Sequence, residues 1–219
     1  MIAERLRKFS TAAWTAALAG LLATGPVRAD AIDDQVIAAF AVLSETACFG
    51  GPEPIGVPEI FDLTYRQDYE GATDVEYRLY KFYCGSGAYN RFDMFLSWDE
   101  YNGVQPVAFA IPTFEPDCRM GGFENLDCIT VNAIPITGMT TENQLVNATF
   151  DLATRTVTEN ACWRGLCDAS SIGTWQFRNG QFVLVTFEVD PTYNGEIDLV
   201  RIVDYPVDTG PARPTKRAN

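Results

Sequence analysis

The sequence predicts a mainly β domain, an antiparallel sheet sandwich or barrel-like fold, disulfide-stapled and carrying one N-terminal amphipathic helix. Runs of aromatic and β-branched residues recur between turn signals, at spacings typical of such folds. Apolar residues follow helical spacing near the start of the chain, over residues 30–48. Six cysteines lie beyond a predicted export signal, and this is typical of a disulfide framework.

Residues 1–29 are predicted to be a secretory signal peptide. A net-basic start precedes an apolar run from about residue 11 to residue 22, and Val27 and Ala29 put small residues at the −3 and −1 positions of a cleavage site. A membrane anchor is the alternative, but the apolar run is shorter than the roughly 20 residues that a spanning helix needs. We therefore expect a periplasmic or secreted protein whose mature chain begins at about Asp30 and is not embedded in a membrane.

The helix is predicted over about residues 30–48. Asp30 or Asp33 would cap its start, and Gly50-Gly51 would end it. Its apolar face would consist of Ile32, Val36, Ala39, Phe40 and Leu43. The proline-rich stretch that follows, over residues 50–62, is predicted to be a connector.

The rest of the chain to about residue 205 is predicted to be strands of one domain. Residues 75–84 and 91–98 alternate in part and are rich in aromatic residues, and a turn at 99–103 leads into a strand over 104–112. Asn179-Gly180 separates two strand-like runs and is a strong hairpin signal. Further turns are predicted over residues 137–144, 151–155 and 190–196. Residues 206–219 carry prolines and basic residues without an apolar pattern, and are predicted to be a flexible tail.

The six cysteines allow 15 pairings, among which the sequence alone does not choose. Proximity in the chain favours Cys118–Cys128 and Cys162–Cys167, which leaves Cys48–Cys84. By the chain-entropy estimate, the short 162–167 loop would stabilise the fold by roughly 2 kcal/mol and the long 48–84 loop by roughly 4 kcal/mol.

Charge and composition exclude several classes of function. The formal net charge is −13, and removal of residues 1–29 would leave 12 basic and 28 acidic residues, a net −16. Such a charge repels phosphate backbones and anionic membranes, so we expect no nucleic-acid partner. The chain has no histidine, which excludes Ser-His-Asp and Cys-His catalysis and His-ligated metals. We predict no cofactor, no metal and no catalytic residue, and we interpret the calcium-loop-like residues 190–198 as a plain turn.

Two segments resemble a known family. Residues 147–187 resemble the C-terminal segment of domain-of-unknown-function family 1176, whose members are exported bacterial proteins. The matching positions are Arg164, Gly165, Cys167, Asp168, Gly173, Thr174, Trp175, Phe177, Gly180, Phe182 and Leu184. Residues 83–90 resemble a second family signature at Gly87, Ala88, Tyr89 and Asn90.

The resemblance covers roughly residues 77–112 and 145–190, and it departs from the family pattern in two places. The order of the aspartate and the cysteine is reversed in Cys167-Asp168, and the cysteine expected after the last family strand is absent. Cys162 would be the substitute disulfide partner. The resemblance implies an exported β protein with a cross-linked loop, and it implies no established activity.

The candidate site is the stretch "CWRGLCDASSIGTW" over residues 162–175. A functional interpretation makes Trp163, Arg164 and Asp168 a binding patch on a rigid loop, beside Tyr89 and Asn90. A structural interpretation pairs Arg164 with a turn-capping Asp168, and makes the tryptophans a cover for the disulfide and the sheet.

Three functions are compatible with the sequence. The leading hypothesis is a monomeric, non-catalytic periplasmic binding or envelope-associated module that recognises an unidentified protein or glycan. The second is a carboxylate-dependent hydrolase, which would need two acidic side chains facing each other in a pocket. The third is an enzyme inhibitor that inserts the 162–167 loop into its target.

Overall fold

The computed structural model describes residues 31–48, 56–122 and 127–207. Within these ranges the chain forms one helix and fourteen strands, and the paired strands are antiparallel. The predicted signal peptide over residues 1–29 lies outside the described residues. The predicted flexible tail does so too, apart from Pro206 and Val207.

The helix and the strands follow in chain order. They are α1 (Ala31–Ala47), β1 (Glu59–Arg66), β2 (Asp74–Ser86), β3 (Arg91–Asp99), β4 (Gly103–Pro106), β5 (Phe109–Phe114), β6 (Asp117–Gly121), β7 (Asp127–Ala133), β8 (Ile136–Glu142), β9 (Gln144–Val146), β10 (Thr149–Asp151), β11 (Thr156–Cys162), β12 (Ser170–Arg178), β13 (Gln181–Asp190) and β14 (Val200–Asp204).

The strands of the described ranges form two five-stranded sheets and two two-stranded sheets. The first sheet has the order β1-β2-β3-β4, with β9 also paired to β3, and the second has the order β10-β11-β12-β13-β14. We call β5 to β8 the ribbon: β5 pairs with β8, and β6 pairs with β7 inside that hairpin. The mainly β fold with one N-terminal helix and three disulfides confirms the predicted fold class.

The main apolar core lies between the two sheets, with Trp175 at its centre. Alternation along the strands puts one face of each sheet into this core, including Leu79 and Phe95 from the first sheet and Phe187 from the second. Trp175 is fully buried on β12, and its ring centroid lies 5.3 Å from that of Phe109. Its indole Nε1 donates a hydrogen bond to the Ala110 carbonyl oxygen at 2.8 Å. The same side chain therefore fills the core and fixes the base of the ribbon.

Gly173 leaves the space that the indole of Trp175 occupies. A Cβ atom at this position would lie 2.2 Å from Cη2 of Trp175. Since the two residues are neighbours on one face of β12, a glycine two positions before the tryptophan lets the ring lie flat against the strand. This contact accounts for the Gly-Thr-Trp sequence in physical terms.

Replacement of Gly173 by alanine is expected to lower the free energy of unfolding by about 1–3 kcal/mol, because the new methyl group overlaps the indole. Chemical denaturation of the purified protein measures this change. Gly56→Ala is the matched control, since a Cβ there meets no atom within 4 Å. Equal stability of the two variants would contradict the packing role given to Gly173.

Helix α1 covers the outer face of the first sheet. Val36 and Phe40 pack on Tyr80 and Phe82, and the rings of Phe40 and Phe82 stack with centroids 4.1 Å apart. The Cys48–Cys84 disulfide joins the end of the helix to β2. The helix predicted over about residues 30–48 is confirmed.

Two segment predictions miss a strand, because pairing with a distant strand overrides local composition, and a third joins two strands into one. The predicted connector 50–62 contains the start of β1, where Glu59 pairs with Lys81. The predicted turn 137–144 is mostly β8, since pairing with β5 orders its glycine and threonines in a ladder. The predicted strand 104–112 is broken between β4 and β5, where the Val107 N–H donates to the Phe95 carbonyl at 2.9 Å.

Candidate functional site

Two loops from different sheets meet at one end of the molecule. Residues 87–90 join β2 to β3 in the first sheet, and residues 163–169 join β11 to β12 in the second. Asn90 Nδ2 donates to the Cys162 carbonyl at 2.7 Å, and the Cys162 N–H donates to Asn90 Oδ1 at 3.3 Å. Tyr89 Oη donates to the Trp163 carbonyl at 3.1 Å. The predicted site residues of the two segments are thus brought together.

Asn147 adds a third segment to this junction. Its backbone has φ +49°, a left-handed conformation that asparagine tolerates. Its side chain accepts a hydrogen bond from the Arg91 N–H at 2.9 Å, and donates to Asn90 Oδ1 at 3.1 Å and to the Asn160 carbonyl at 2.9 Å. The link between β9 and β10 therefore fixes Asn90. This role could not be predicted from the sequence, since no feature of residue 147 indicates contact with residue 90.

The 162–167 loop is a tight, cross-linked turn. Cys162 and Cys167 form a disulfide, and the Cys167 N–H donates to the Arg164 carbonyl at 2.9 Å. Leu166 lies at the tip with 72% of its surface exposed. This loop is restrained by its disulfide, by the turn and by the hydrogen bonds from Tyr89 and Asn90. Leu166 is therefore exposed on a rigid backbone.

Trp163 does not lie at the tip of that loop. Its ring is half-buried and stacks on Phe114 of the ribbon, with centroids 6.2 Å apart and planes 14° apart. This arrangement agrees with the structural interpretation of Trp163, which closes the core under the loop. Leu166, which the sequence did not single out, is the exposed apolar residue of the turn.

Arg164 and Asp168 form an ion pair at the base of the loop. Arg164 Nε donates to Asp168 Oδ1 at 2.6 Å, and Nη2 donates to Oδ2. The Asp168 carboxylate is 1% exposed and also accepts the Gly195 N–H at 2.8 Å. The hydrogen bonds from Arg164 lower the pKa of Asp168, so the pair stays ionised at any ordinary cellular pH. The predicted pairing of these residues is present.

Tyr193 supports the guanidinium from a second side. The Arg164 guanidinium carbon lies 5.1 Å from the centre of the Tyr193 ring, within cation–π range. The Tyr193 N–H donates to the Cys128 carbonyl at 2.8 Å, which joins the 191–198 loop to the ribbon. Arg164 is therefore held by a buried carboxylate and an aromatic ring, and its own side chain remains 34% exposed.

The 190–198 segment is organised by a buried aspartate. Asp190 Oδ1 accepts hydrogen bonds from the Thr192 N–H at 2.9 Å and from its hydroxyl at 2.6 Å, and Oδ2 accepts the Asp198 N–H at 2.5 Å. These bonds use the carboxylate to shape the loop. Across the described ranges, no cluster of three or more histidine, cysteine or acidic side chains has the arrangement of a metal site.

Two further carboxylates are buried behind the junction. Glu159 Oε1 accepts the Val146 N–H at 2.9 Å, and Asp93 Oδ2 accepts the Ala148 N–H at 3.3 Å. Burial raises the pKa of Glu159 to about 7. Burial also raises the pKa of Asp93, although Lys81 and Arg91 oppose the shift. One carboxylate from each sheet therefore binds a backbone N–H next to Asn147: Glu159 binds that of Val146, and Asp93 binds that of Ala148.

Protonation of Glu159 is expected to make stability depend on pH. Because its pKa is about 7 in the folded chain and near 4.5 in the unfolded chain, the free energy of unfolding should fall by about 3 kcal/mol as the pH rises from about 4.5 to 7.5. Urea unfolding across this range measures the slope. Glu159→Gln keeps the acceptor for Val146 and should flatten that slope, whereas an equal slope in both proteins would contradict the assignment.

We call Tyr89, Arg164, Leu166 and Tyr193 the end surface. Tyr89 is 46% exposed, and a Cβ atom at Gly165 would lie 3.6 Å from Cδ1 of its ring, which places Tyr89 beside the 162–167 turn. The end surface therefore combines two tyrosines, an arginine and an exposed leucine on restrained backbone. Tyrosine and arginine are enriched in protein interfaces and in their energetic hot spots.

Comparison of the chain with protein-family models, curated proteins and solved structures returns no significant match. The resemblance to domain-of-unknown-function family 1176 therefore stays a prediction. The geometry of the end surface and the chemistry of its residues carry the functional argument.

Proposed function

We propose that this protein is a non-catalytic binding module of the periplasm or the extracellular space, which recognises a protein or glycan partner through the end surface. Three disulfides support an oxidising compartment, as does the predicted signal peptide. None of the described helical residues form a span long and apolar enough to cross a membrane. The resemblance to a family of exported bacterial proteins points to the same location.

The preorganised guanidinium of Arg164 carries this proposal. Asp168 engages Nε and Nη2, so Nη1 faces away from the ion pair and is available to an acceptor on a partner. The arginine loses little side-chain entropy on binding, because Asp168 and Tyr193 already hold it in place. Leu166 and Tyr89 beside it supply apolar contact area. A surface that combines a fixed hydrogen-bond donor with exposed apolar area is suited to binding a partner.

The inhibitor hypothesis is a special case of this proposal, in which the partner is an enzyme. The exposed tip of the 162–167 turn, with Leu166 outermost, favours it. The expected contact residue is then Leu166, since Trp163 is engaged with Phe114.

The hydrolase hypothesis has weaker support. A cavity does place Asp62 and Glu76 on one face of the first sheet, but both residues are exposed, and Asp62 is ion-paired with Arg78. A carboxyl group that protonates a leaving group normally needs burial to hold its proton at neutral pH. These two carboxylates are therefore better suited to binding than to acid catalysis.

The proposal is tested by capturing partners from an envelope extract and measuring their affinity with purified proteins. Arg164→Gln and Leu166→Ser should each weaken binding by about tenfold or more, as truncation of a hot-spot residue does. Leu152→Ser is the matched control, because Leu152 is 55% exposed on the turn between β10 and β11, at the opposite end of β11. Turnover of glycan, ester or peptide substrates that an Asp62 or Glu76 substitution abolished would contradict the proposal.

A further inference from the structure

A second candidate site lies on the outer face of the first sheet, away from the end surface. Strand register places Asp62, Arg78 and Trp98 side by side across β1, β2 and β3, and pairs Thr64 with Glu76 in an adjacent row. These side chains line a cavity of about 300 Å³. This volume is at the low end of the range for small-molecule sites, about 300–1,000 Å³, so the cavity suits one small ring.

Arg78 is a fixed donor in the wall of this cavity. Its Nε donates to Asp62 at 2.9 Å, and its Nη1 donates to Asp33, near the start of α1, also at 2.9 Å. Tyr80 Oη donates to the same Asp33 oxygen at 2.6 Å. The helix and two strands together hold the guanidinium of Arg78, whose side chain is 23% exposed.

The wall offers both a hydrogen-bond donor and hydrogen-bond acceptors. The Thr64 hydroxyl can donate, the carboxylates of Asp62 and Glu76 accept, and the guanidinium of Arg78 adds a fixed positive charge. A cationic ligand would meet the guanidinium, and an anionic ligand would meet two carboxylates. A neutral ligand with many hydroxyl groups is the class that can satisfy both kinds of group without a charge conflict.

Trp98 adds an apolar wall. It is partly exposed, and it packs against the residues that lie under α1. When the face of an indole contacts a ligand ring, it buries the apolar C–H face of that ring. Polar groups at the rim of the cavity then bind the substituents of the ligand ring. A sugar ring has this combination of an apolar C–H face and equatorial hydroxyl groups.

We infer that the cavity formed by Asp62, Thr64, Glu76, Arg78 and Trp98 binds a neutral sugar residue of a glycan. This site is separate from the end surface, and the inference does not depend on the proposed function of that surface. A protein-binding end surface and a glycan-binding sheet face would let one module connect a protein to a saccharide.

The test uses the exported protein, with its N-terminus read by mass spectrometry. Glucose, galactose, N-acetylglucosamine, cellotetraose and chitotetraose are titrated, and the Trp98 indole N–H resonance, assigned with Trp98→Phe, is followed by NMR. At least one sugar should shift this resonance in a saturable way. Glu76→Gln should weaken binding of that sugar by about tenfold, because a hydrogen bond to a charged carboxylate becomes a weaker one to a neutral amide oxygen. Glu70→Gln, on the exposed turn between β1 and β2, should leave the affinity unchanged.

Three outcomes would overturn the inference. One is that none of the five sugars shifts the Trp98 resonance. Another is that Glu76→Gln and Glu70→Gln bind the sugar equally well. The third is that spermidine or glucuronate, titrated in parallel as charged probes, saturates the Trp98 shift more tightly than any neutral sugar. Each result is independent of whether Arg164→Gln alters partner binding.

Discussion

Replacement of Trp175 by alanine is expected to lower the free energy of unfolding by about 3–5 kcal/mol, a large part of the 5–15 kcal/mol typical of a whole domain. The indole is fully buried between the two sheets and contacts Phe109. Its removal leaves a cavity in the main core beside Phe109 and frees the Ala110 carbonyl oxygen. Urea denaturation of the purified variant measures the loss.

Two further variants separate the contributions of Trp175. Trp175→Phe keeps most of the apolar volume but removes the hydrogen bond to Ala110, and it should cost less than the alanine variant. Tyr101→Ala removes a 67% exposed aromatic ring and should leave stability nearly unchanged. A loss below about 1 kcal/mol for Trp175→Ala would contradict the central position given to this residue.

Replacement of both Cys48 and Cys84 by serine is expected to lower stability by about 4 kcal/mol. Their sequence separation of 36 is the longest among the three disulfides, so this bridge restricts the unfolded chain most. The bridge also fixes the end of α1 on β2, where Phe40 and Phe82 stack. Thermal or urea unfolding under non-reducing conditions measures the effect.

The other disulfides provide the comparison for this prediction. Loss of Cys162–Cys167, with a separation of 5, should cost about 2 kcal/mol, and loss of Cys118–Cys128, with a separation of 10, should fall between. The order of the three double variants is the decisive result. A smaller loss for Cys48–Cys84 than for Cys162–Cys167 would contradict the chain-entropy explanation.

Local signals predicted the parts of the fold that depend on neighbours in the chain. Helical spacing predicted α1, and Asn179-Gly180 predicted the turn between β12 and β13, where both residues have positive φ angles of 48° and 84°. Proximity in the chain favoured the disulfide pairs that are present. These features need no information about distant contacts.

Features set by distant pairing could not be read from the sequence. Residues 137–144 have turn-like composition, but Met139 lies opposite Pro112 in the ribbon, and that partner is fixed only once the chain has folded. Strand β1 was not predicted, because the prolines that precede it are typical of a connector. In both cases tertiary hydrogen bonding decides the conformation.

The candidate site was predicted in part. The stretch around Cys162 and Cys167 drew attention to Arg164 and Asp168, and the structural interpretation paired them, as the structure does. Tyr193 and Asn147 were missed, because they reach the site from residues 191–198 and from the link between β9 and β10. Trp163 stacks on the ribbon residue Phe114, which is distant in the chain, and Leu166, for which no role was predicted, is the exposed residue of the turn.

The most direct test of the end surface is photo-crosslinking in the living cell. A diazirine amino acid is placed at position 166, and in a matched strain at position 152, which is similarly exposed at the opposite end of β11. We predict a discrete adduct at position 166, its loss when Arg164→Gln is added, and no adduct at position 152. No adduct at position 166, or equal adducts at both positions, would contradict recognition through the end surface.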